Sequence, residues 1–400
     1  MEDDAGDKIF RNVRTTEEFY LNLSMVAGSK LGRYENTLVF IDEIQHYPQF
    51  LTMLKFLRQE HRYRFICSGS LLGIALKETV SVPVGSIIPK KMYQLDFEEF
   101  LIANDFGEDA ITHLRKSFEQ KQSLTPKVHD KVLSLFKRYL LVGGMPDAVN
   151  EYLSSHNIVK VREVQEAIRE LYGVDAFRYE EDAAKKLYIR RIYDMIPSQM
   201  ENKKKRIVAK DILDRKGDRF SNYVEEFEYL INSGITIASH AISNPKYPLA
   251  ESQQKNLLKL YMNDVGMLTS QLYHYNIQPI LNDIASINLG SVYESAVAQE
   301  LKAHCDKLFY YDNKQKGEVD FLVDDSGTMS VLPIEVKSGK DYTVHSALDN
   351  LMAVPDYHII SSIVLSNERE IKKKGNILYL PIYYVMFIED KMPDKEDLYF

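Results

Sequence analysis

Residues Leu38 to Gln45 read L-V-F-I-D-E-I-Q, an unbroken apolar run that stops at two adjacent carboxylates. Such a run suits a parallel strand, which needs apolar side chains on both of its faces. Where the strand leaves the sheet, one carboxylate can hold Mg²⁺ and the next can polarise the water that attacks a γ-phosphate. This is the pattern of a Walker B strand, with Asp42 on the metal and Glu43 on the water. A second apolar stretch, Arg64 to Cys67, runs into Ser68-Gly69-Ser70. Ser68 and Ser70 thus stand where a γ-phosphate sensor belongs, because ligands of open α/β sheets collect at the carboxyl ends of strands.

The complementary half of such a site is missing from the sequence. No G-x-x-x-x-G-K-[ST] occurs, so there is no glycine-rich loop to cradle phosphates and no lysine to reach them. Each charge-assisted hydrogen bond lost with that loop is worth about 1.5–3 kcal/mol. The expectation is a chain that binds ATP poorly or not at all. Because Asp42 and Glu43 both survive, a chain shortened at its start is favoured over a degenerate paralogue.

Composition narrows the class. The 400 residues are 45% hydrophobic and 27% charged, ordinary values for a globular chain of several domains. The formal charge of −8 argues against a protein that coats nucleic acid over its whole surface. Cys67 and Cys305 are the only cysteines, which excludes a disulfide framework and favours a reducing cytoplasm. The most apolar stretch, Tyr379 to Ile388, contains Pro381 and falls well short of the roughly twenty residues a bilayer requires. The opening M-E-D-D-A-G-D-K is unlike a signal peptide. No membrane partner is expected.

Along the chain, the fold class is α/β and multidomain. Residues 1–96 read as a partial parallel-sheet core: a short strand at Phe19 to Leu23, the strand at Leu38, a helix over Phe50 to Glu60 and the strand at Arg64. Met92 to Leu95 would close this unit, and Asp96 can cap the helix F-E-E-F-L. Residues 97–185 are helical and lid-like, with V-G-G-M-P (Val142 to Pro146) as a helix–helix corner. Residues 186–275 read as short helices followed by a β-ribbon, a winged-helix-like module. Residues 276–400 form a final α/β unit, with a helix around Val292 to Leu301 and strands near 308–311, 318–323, 331–337, 361–366 and 377–387.

That last unit carries a second constellation. Glu318-Val319-Asp320-Phe321 and Pro333-Ile334-Glu335-Val336-Lys337 read as adjacent strands. Alternation puts Glu335 and Lys337 on one face. An acid on each strand, with a lysine two residues beyond the second, suits a Mg²⁺ nuclease: Asp320 and Glu335 on the metal, Lys337 on the nucleophilic water. Glu294 on the upstream helix is a third candidate ligand. The bland alternative is a solvated Glu–Lys ladder on a sheet edge. The densest positive tract, Lys203-Lys204-Lys205-Arg206 with Arg190 and Arg191, is a candidate phosphate-contacting surface for DNA, or simply a solvated helix end.

Taken in order, F-I-D-E-I-Q, P-x-F-L, S-G-S-L-L-G, D-F-E-E-F-L and G-G-M-P resemble a prokaryotic branch of the AAA-type ATPases. Its members carry a C-terminal domain of unknown function similar to PD-(D/E)xK nucleases, that is, restriction-endonuclease-like. The resemblance implies ATP and Mg²⁺ as cofactors, with Asp42 and Glu43 as Walker B residues and Ser68 or Ser70 near the sensor position. DNA and further copies of the chain are the partners this reading admits. Two alternatives stand beside it: a Mg²⁺-dependent endonuclease using Asp320, Glu335 and Lys337, and a non-catalytic DNA- or protein-binding module. No H-E-x-x-H, C-x-x-C, G-x-S-x-G or G-x-G-x-x-G occurs, which leaves zinc, serine-hydrolase and dinucleotide chemistry without a motif.

Overall fold

A computed structural model describes residues 9–32, 36–69, 85–178, 182–202, 205–214, 217–253, 257–282, 289–305, 307–339 and 341–390. The chain divides into two compact units, one of residues 1–92 with 232–234 and one of 93–231 with 235–400.

The first unit holds α1 (Thr16–Ala27), β1 (Leu38–Ile41), α2 (Pro48–Gln59) and β2 (Arg64–Cys67). α1 replaces the strand expected at Phe19 to Leu23. Its start is a capping box: Thr15 accepts from the Glu18 amide while the Glu18 carboxylate accepts from Thr15. Phe19 and Tyr20 are buried, and the Phe19 ring meets Phe50 of α2 edge-on at 5.5 Å. α2 buries Phe50, Leu51, Met53, Leu54 and Leu57, a helical stripe. β1 and β2 pair in parallel from Leu38↔Arg64 to Ile41↔Cys67. Among the described residues, Ile41 is buried on one face of this pair, whereas Phe40 and Ile66 on the other are more than half exposed.

The second unit opens with six helices: α3 (Phe97–Ala103), α4 (Glu108–Glu119), α5 (Pro126–Val142), α6 (Pro146–Ser155), α7 (Ile158–Arg178) and α8 (Ala183–Met200). Met92 to Leu95 form no strand. Instead the Leu95 amide donates to Gly144 O at 2.9 Å, which ties this stretch to the second unit. Asp96 caps α3 by accepting from the Glu99 amide.

The G-G-M-P corner joins α5 to α6, and its glycines are required by contact. A Cβ on Gly144 would lie 2.0 Å from Leu95 O, and one on Gly143 (φ 75°) would lie 2.1 Å from Asp264 Oδ1. Asp264 accepts from the Gly144 amide at 2.6 Å and from the Met267 amide at 3.0 Å, so it holds the corner and caps the helix that follows it. Buried Arg162 closes the same junction by donating to the carbonyls of Leu141, Gly266 and His274.

Short helices α9 (Lys210–Leu213) and α10 (Val224–Asn232) precede β3 (Thr236–Ile242) and β4 (Leu258–Met262). Then come α11 (Val265–Tyr273), α12 (Gln278–Leu281), α13 (Gly290–His304), β5 (Leu308–Asn313), β6 (Gly317–Asp325), β7 (Ser330–Lys337), α14 (Ser346–Met352), β8 (Ser362–Ser366), β9 (Lys372–Lys374) and β10 (Ile377–Pro381). The last strand is shorter than expected, because residues 382–387 wind into a 3₁₀-helix.

All eight strands from β3 onward form one sheet in the order β4-β3-β5-β6-β7-β8-β10-β9. The ribbon expected as a separate wing is therefore an end of this sheet, with β3 parallel to β5 from Ser239↔Leu308 to Ile242↔Tyr311. Its side chains explain why: β4 is buried at every position and has no wet face to present as a wing. Leu308, Phe321 and Ile334 join the large core shared with the helices, while Phe309, Leu322 and Val364 join a smaller core under α14. α13 is buried from Ser291 to Leu301, so the polar groups it carries are buried with it.

Candidate functional site

In the first unit, the parallel register brings the ends of β1 and β2 together. Ser68 N donates to Ile41 O at 2.9 Å, and Ile44 N donates to Ser68 O at 3.0 Å. The Ser68 hydroxyl donates to Asp42 Oδ1, which also takes the Glu43 amide at 3.1 Å. The acid expected on the metal and one of the two serines expected near the sensor position are thus hydrogen-bonded neighbours. Glu43 sits in the left-handed region (φ 51°), a conformation that places roughly 1–2 kcal/mol of strain on a residue with a Cβ. Its carboxylate accepts from the Gln45 side chain. Burial pushes the Cys67 thiol up to about 11, so this cysteine is no nucleophile at neutral pH. Ser70 lies outside the described residues.

In the second unit, four side chains that are up to forty-three positions apart (294 to 337) converge. Glu294 comes from α13, Asp320 from β6, and Glu335 and Lys337 from β7. A register slip makes this possible. Phe309 pairs with Leu322 and Tyr311 with Val319, so Asp320 and Phe321 together face the single residue Tyr310. A bulge of this kind re-aims a side chain, and bulges concentrate beside active sites. Asp320 Oδ2 accepts from the Val336 amide at 2.8 Å, and Lys337 Nζ stands 2.8 Å from Glu335 Oε1. Glu335 is 7% exposed, and its Oε2 is buried with no hydrogen bond among the described residues.

Three further residues belong to this cluster and escaped the sequence reading: Lys259 and Tyr261 on β4, and Glu318 on β6. Lys259, fully buried, places Nζ 3.0 Å from Glu294 Oε1 and 2.7 Å from Glu318 Oε1, 4.7 Å above the Tyr310 ring. Tyr261 donates to Glu294 Oε1 at 2.7 Å, and Lys205 binds Glu294 Oε2. Glu294, the candidate third ligand, therefore already has two ammonium groups and a phenol as partners. A signal was available: L-K-L-Y-M puts one lysine inside an otherwise apolar strand, where only a buried partner can hold it.

The electrostatics follow from this packing. Burial alone would raise the Glu294 pKa, but Lys259 and Lys205 bring it down to about 2. Asp320 is pushed the other way, well above the usual carboxylate range, by burial and then by the charges of Glu335 and Glu294. Three ammonium groups (Lys205, Lys259, Lys337) thus face four carboxylates (Glu294, Glu318, Asp320, Glu335), and Asp320 is the one left short of a cation. Among the described residues, no group of three or more His, Cys, Asp or Glu side chains stands ready to hold a metal ion.

The described residues of the basic tract have acidic or carbonyl partners. Lys205 is taken by Glu294, and Arg206 Nη1 lies 2.8 Å from Asp312 Oδ2; both side chains are largely buried. Arg191 donates to Ile212 O, and exposed Arg190 lies 3.6 Å from Asp194. Glu294 of α13 and Asp312 of β5 account for Lys205 and Arg206. Lys203 and Lys204 lie outside the described residues. No helix among the described residues is long and apolar enough to cross a membrane.

Comparison with known families gives three matches. Residues 4–101 match an AAA domain. Residues 133–275 match a domain of unknown function (DUF8612), and residues 289–385 match a second (DUF4143). The single sheet of the second unit crosses these last two stretches, with β3 and β4 in one and β5 to β10 in the other. No curated protein and no solved structure matches the chain. Over its first hundred residues, the chain is similar to AAA-type ATPases.

Proposed function

We propose that the first unit supplies the magnesium-and-water side of an AAA-type nucleotide site, and that this chain binds Mg²⁺·ATP only weakly. The observation that carries this reading is the Ser68–Asp42 hydrogen bond at the paired ends of β1 and β2. Asp42 keeps Oδ2 for a hydrated Mg²⁺ and Glu43 follows it on the same turn to polarise a water, while the Ser68 hydroxyl, by donating to Asp42 Oδ1, orients the carboxylate. Magnesium would neutralise charge on the β- and γ-phosphates. A micromolar site corresponds to about −8 kcal/mol, and losing two or three charge-assisted bonds leaves about −4 kcal/mol, or roughly millimolar affinity. Ligand-observed NMR with Mg²⁺ and a slowly hydrolysed ATP analogue tests this. Roughly millimolar binding that disappears in Asp42→Ala is expected. Binding that ignores Asp42→Ala, or no binding at all, overturns the reading.

A second reading rests on its own observation, the unsatisfied buried Oε2 of Glu335 beside Asp320. We infer a divalent-cation site at Asp320 and Glu335. Two carboxylates with water and a phosphate oxygen suffice for Mg²⁺, so the loss of Glu294 as a ligand does not disqualify the pair. A bound Mg²⁺ would supply Lewis-acid polarisation of a phosphodiester and a more acidic water. Lys337, held by Glu335, is positioned to orient that water. Nicking of supercoiled DNA in Mn²⁺, lost in Asp320→Asn, is the expected result; nicking that survives Asp320→Asn, or none, removes the endonuclease reading.

A further inference from the structure

The two lysines on Glu294 differ in how they are held. Lys259 lies in β4, fully buried, and bridges Glu294 to Glu318, so it cannot leave without unpairing a strand. Lys205 comes from residues 205–208, which belong to no helix or strand. Its backbone is in the left-handed region (φ 40°), unfavourable for a lysine. The next two residues fasten the same stretch: Arg206 to Asp312 on β5, and the Ile207 amide to Leu258 O at 3.1 Å. Three successive residues thus lie along the cluster as a strap, anchored at α13, β5 and β4.

We propose that residues 205–207 are a displaceable strap, with Lys205 as an internal cation that closes the Glu294–Asp320–Glu335 cluster until a divalent cation takes its place. The inference rests on the cation site at Asp320 and Glu335. It accounts for a cluster of four carboxylates that nevertheless offers no ready metal-binding set among the described residues: both oxygens of Glu294 are occupied by ammonium groups. The buried Glu335 Oε2, which has no hydrogen-bond partner among the described residues, is the acceptor left for the incoming cation.

Charge alone and a strap make opposite predictions for one substitution. Asp312→Asn removes a negative charge from the neighbourhood, so simple electrostatics weakens cation binding. In the strap account it frees Arg206, loosens Lys205 and strengthens binding. Isothermal titration with Mn²⁺ on the full chain would compare wild type, Asp312→Asn, Lys205→Met and Asp320→Asn, with circular dichroism to confirm folding. Severalfold tighter Mn²⁺ binding in Asp312→Asn and Lys205→Met than in wild type, and none in Asp320→Asn, is expected. Faster amide exchange at Ile207 on adding Mn²⁺ to wild type should accompany it. Mn²⁺ binding that needs Asp320 but is equal or weaker in Asp312→Asn overturns the strap and leaves the cation site standing. No Mn²⁺ binding by any of the four overturns both.

Discussion

At the scale of single residues, the second unit is built on buried ionisable groups whose states are set by their neighbours. Lys259 is the clearest case, because its charge is sustained chiefly by Glu294 and Glu318, which it contacts directly. Burial lowers its pKa and those two carboxylates more than restore it. Removing one partner of such a group strands the other, which typically costs about 3–5 kcal/mol. Lys259→Met should therefore lower the urea stability of the second unit by that order. Glu300 of α13 makes a second test. It accepts from the Phe97 amide at 3.0 Å and from Tyr139 at 2.8 Å, and burial with the nearby Asp96 charge pushes its pKa up to about 8. Between the unfolded value of about 4.3 and pH 8, the folded state holds a proton that the unfolded state has lost, so stability from this group falls as pH rises. Wild type should lose more stability between pH 5 and pH 8 than Glu300→Gln, measured as the change in urea midpoint. Equal losses would show that Glu300 is ionised in the folded state.

At the scale of elements, the strand at Leu38 and the strand-paired acids of β6 and β7 were legible because each couples a period to a chemistry. Apolar runs that end on carboxylates mark strands, and E-x-K in a strand places both groups on one face. The misread elements share a cause. Phe19 to Leu23 looks strand-like on its apolar content, but Thr15 and Glu18 form a capping box that starts a helix ahead of it. The ribbon at β3 and β4 resembled a wing because sequence alone cannot show that β5, some fifty residues beyond β4, will pair with β3. Nor could sequence alone show that Lys205 and Arg206 of the basic tract pair with Glu294 and Asp312, which come from distant elements. The G-G-M-P corner was read correctly as a turn, while its dependence on Leu95 and Asp264 became visible only in the packed structure. A Cβ at Gly144 must displace the Leu95 backbone, and overpacking of this kind typically costs about 1–3 kcal/mol or more. Gly144→Ala should lower the melting temperature of the second unit, whereas Gly339→Ala, where a Cβ meets nothing within 4 Å, should leave it nearly unchanged.

At the scale of the whole molecule, the α/β class was legible and the partition of the second unit was not. Short-range patterns suggested successive modules at 97–185, 186–275 and 276–400. The eight-stranded sheet instead draws β3 and β4 from before α13 and the remaining strands from after it, and α13 is buried from Ser291 to Leu301. A fragment ending at residue 275 would leave the β3 edge unpaired and the core normally filled by α13 open. Residues 93–275 expressed alone should therefore give a poorly dispersed amide spectrum, in contrast to residues 93–390; a well-dispersed spectrum would show two independent folds. The candidate nucleotide site, by contrast, depends only on the first unit and on a hydrogen bond between two strand ends. The most direct test is paramagnetic line broadening by Mn²⁺ with a slowly hydrolysed ATP analogue, read on backbone amides in an Asp320→Asn background that removes the second cation site. Broadening centred on Asp42, Glu43 and Ser68, and abolished by Asp42→Asn, is the predicted result. Broadening that centres elsewhere or survives Asp42→Asn would contradict the assignment of this strand end to a nucleotide-bound metal.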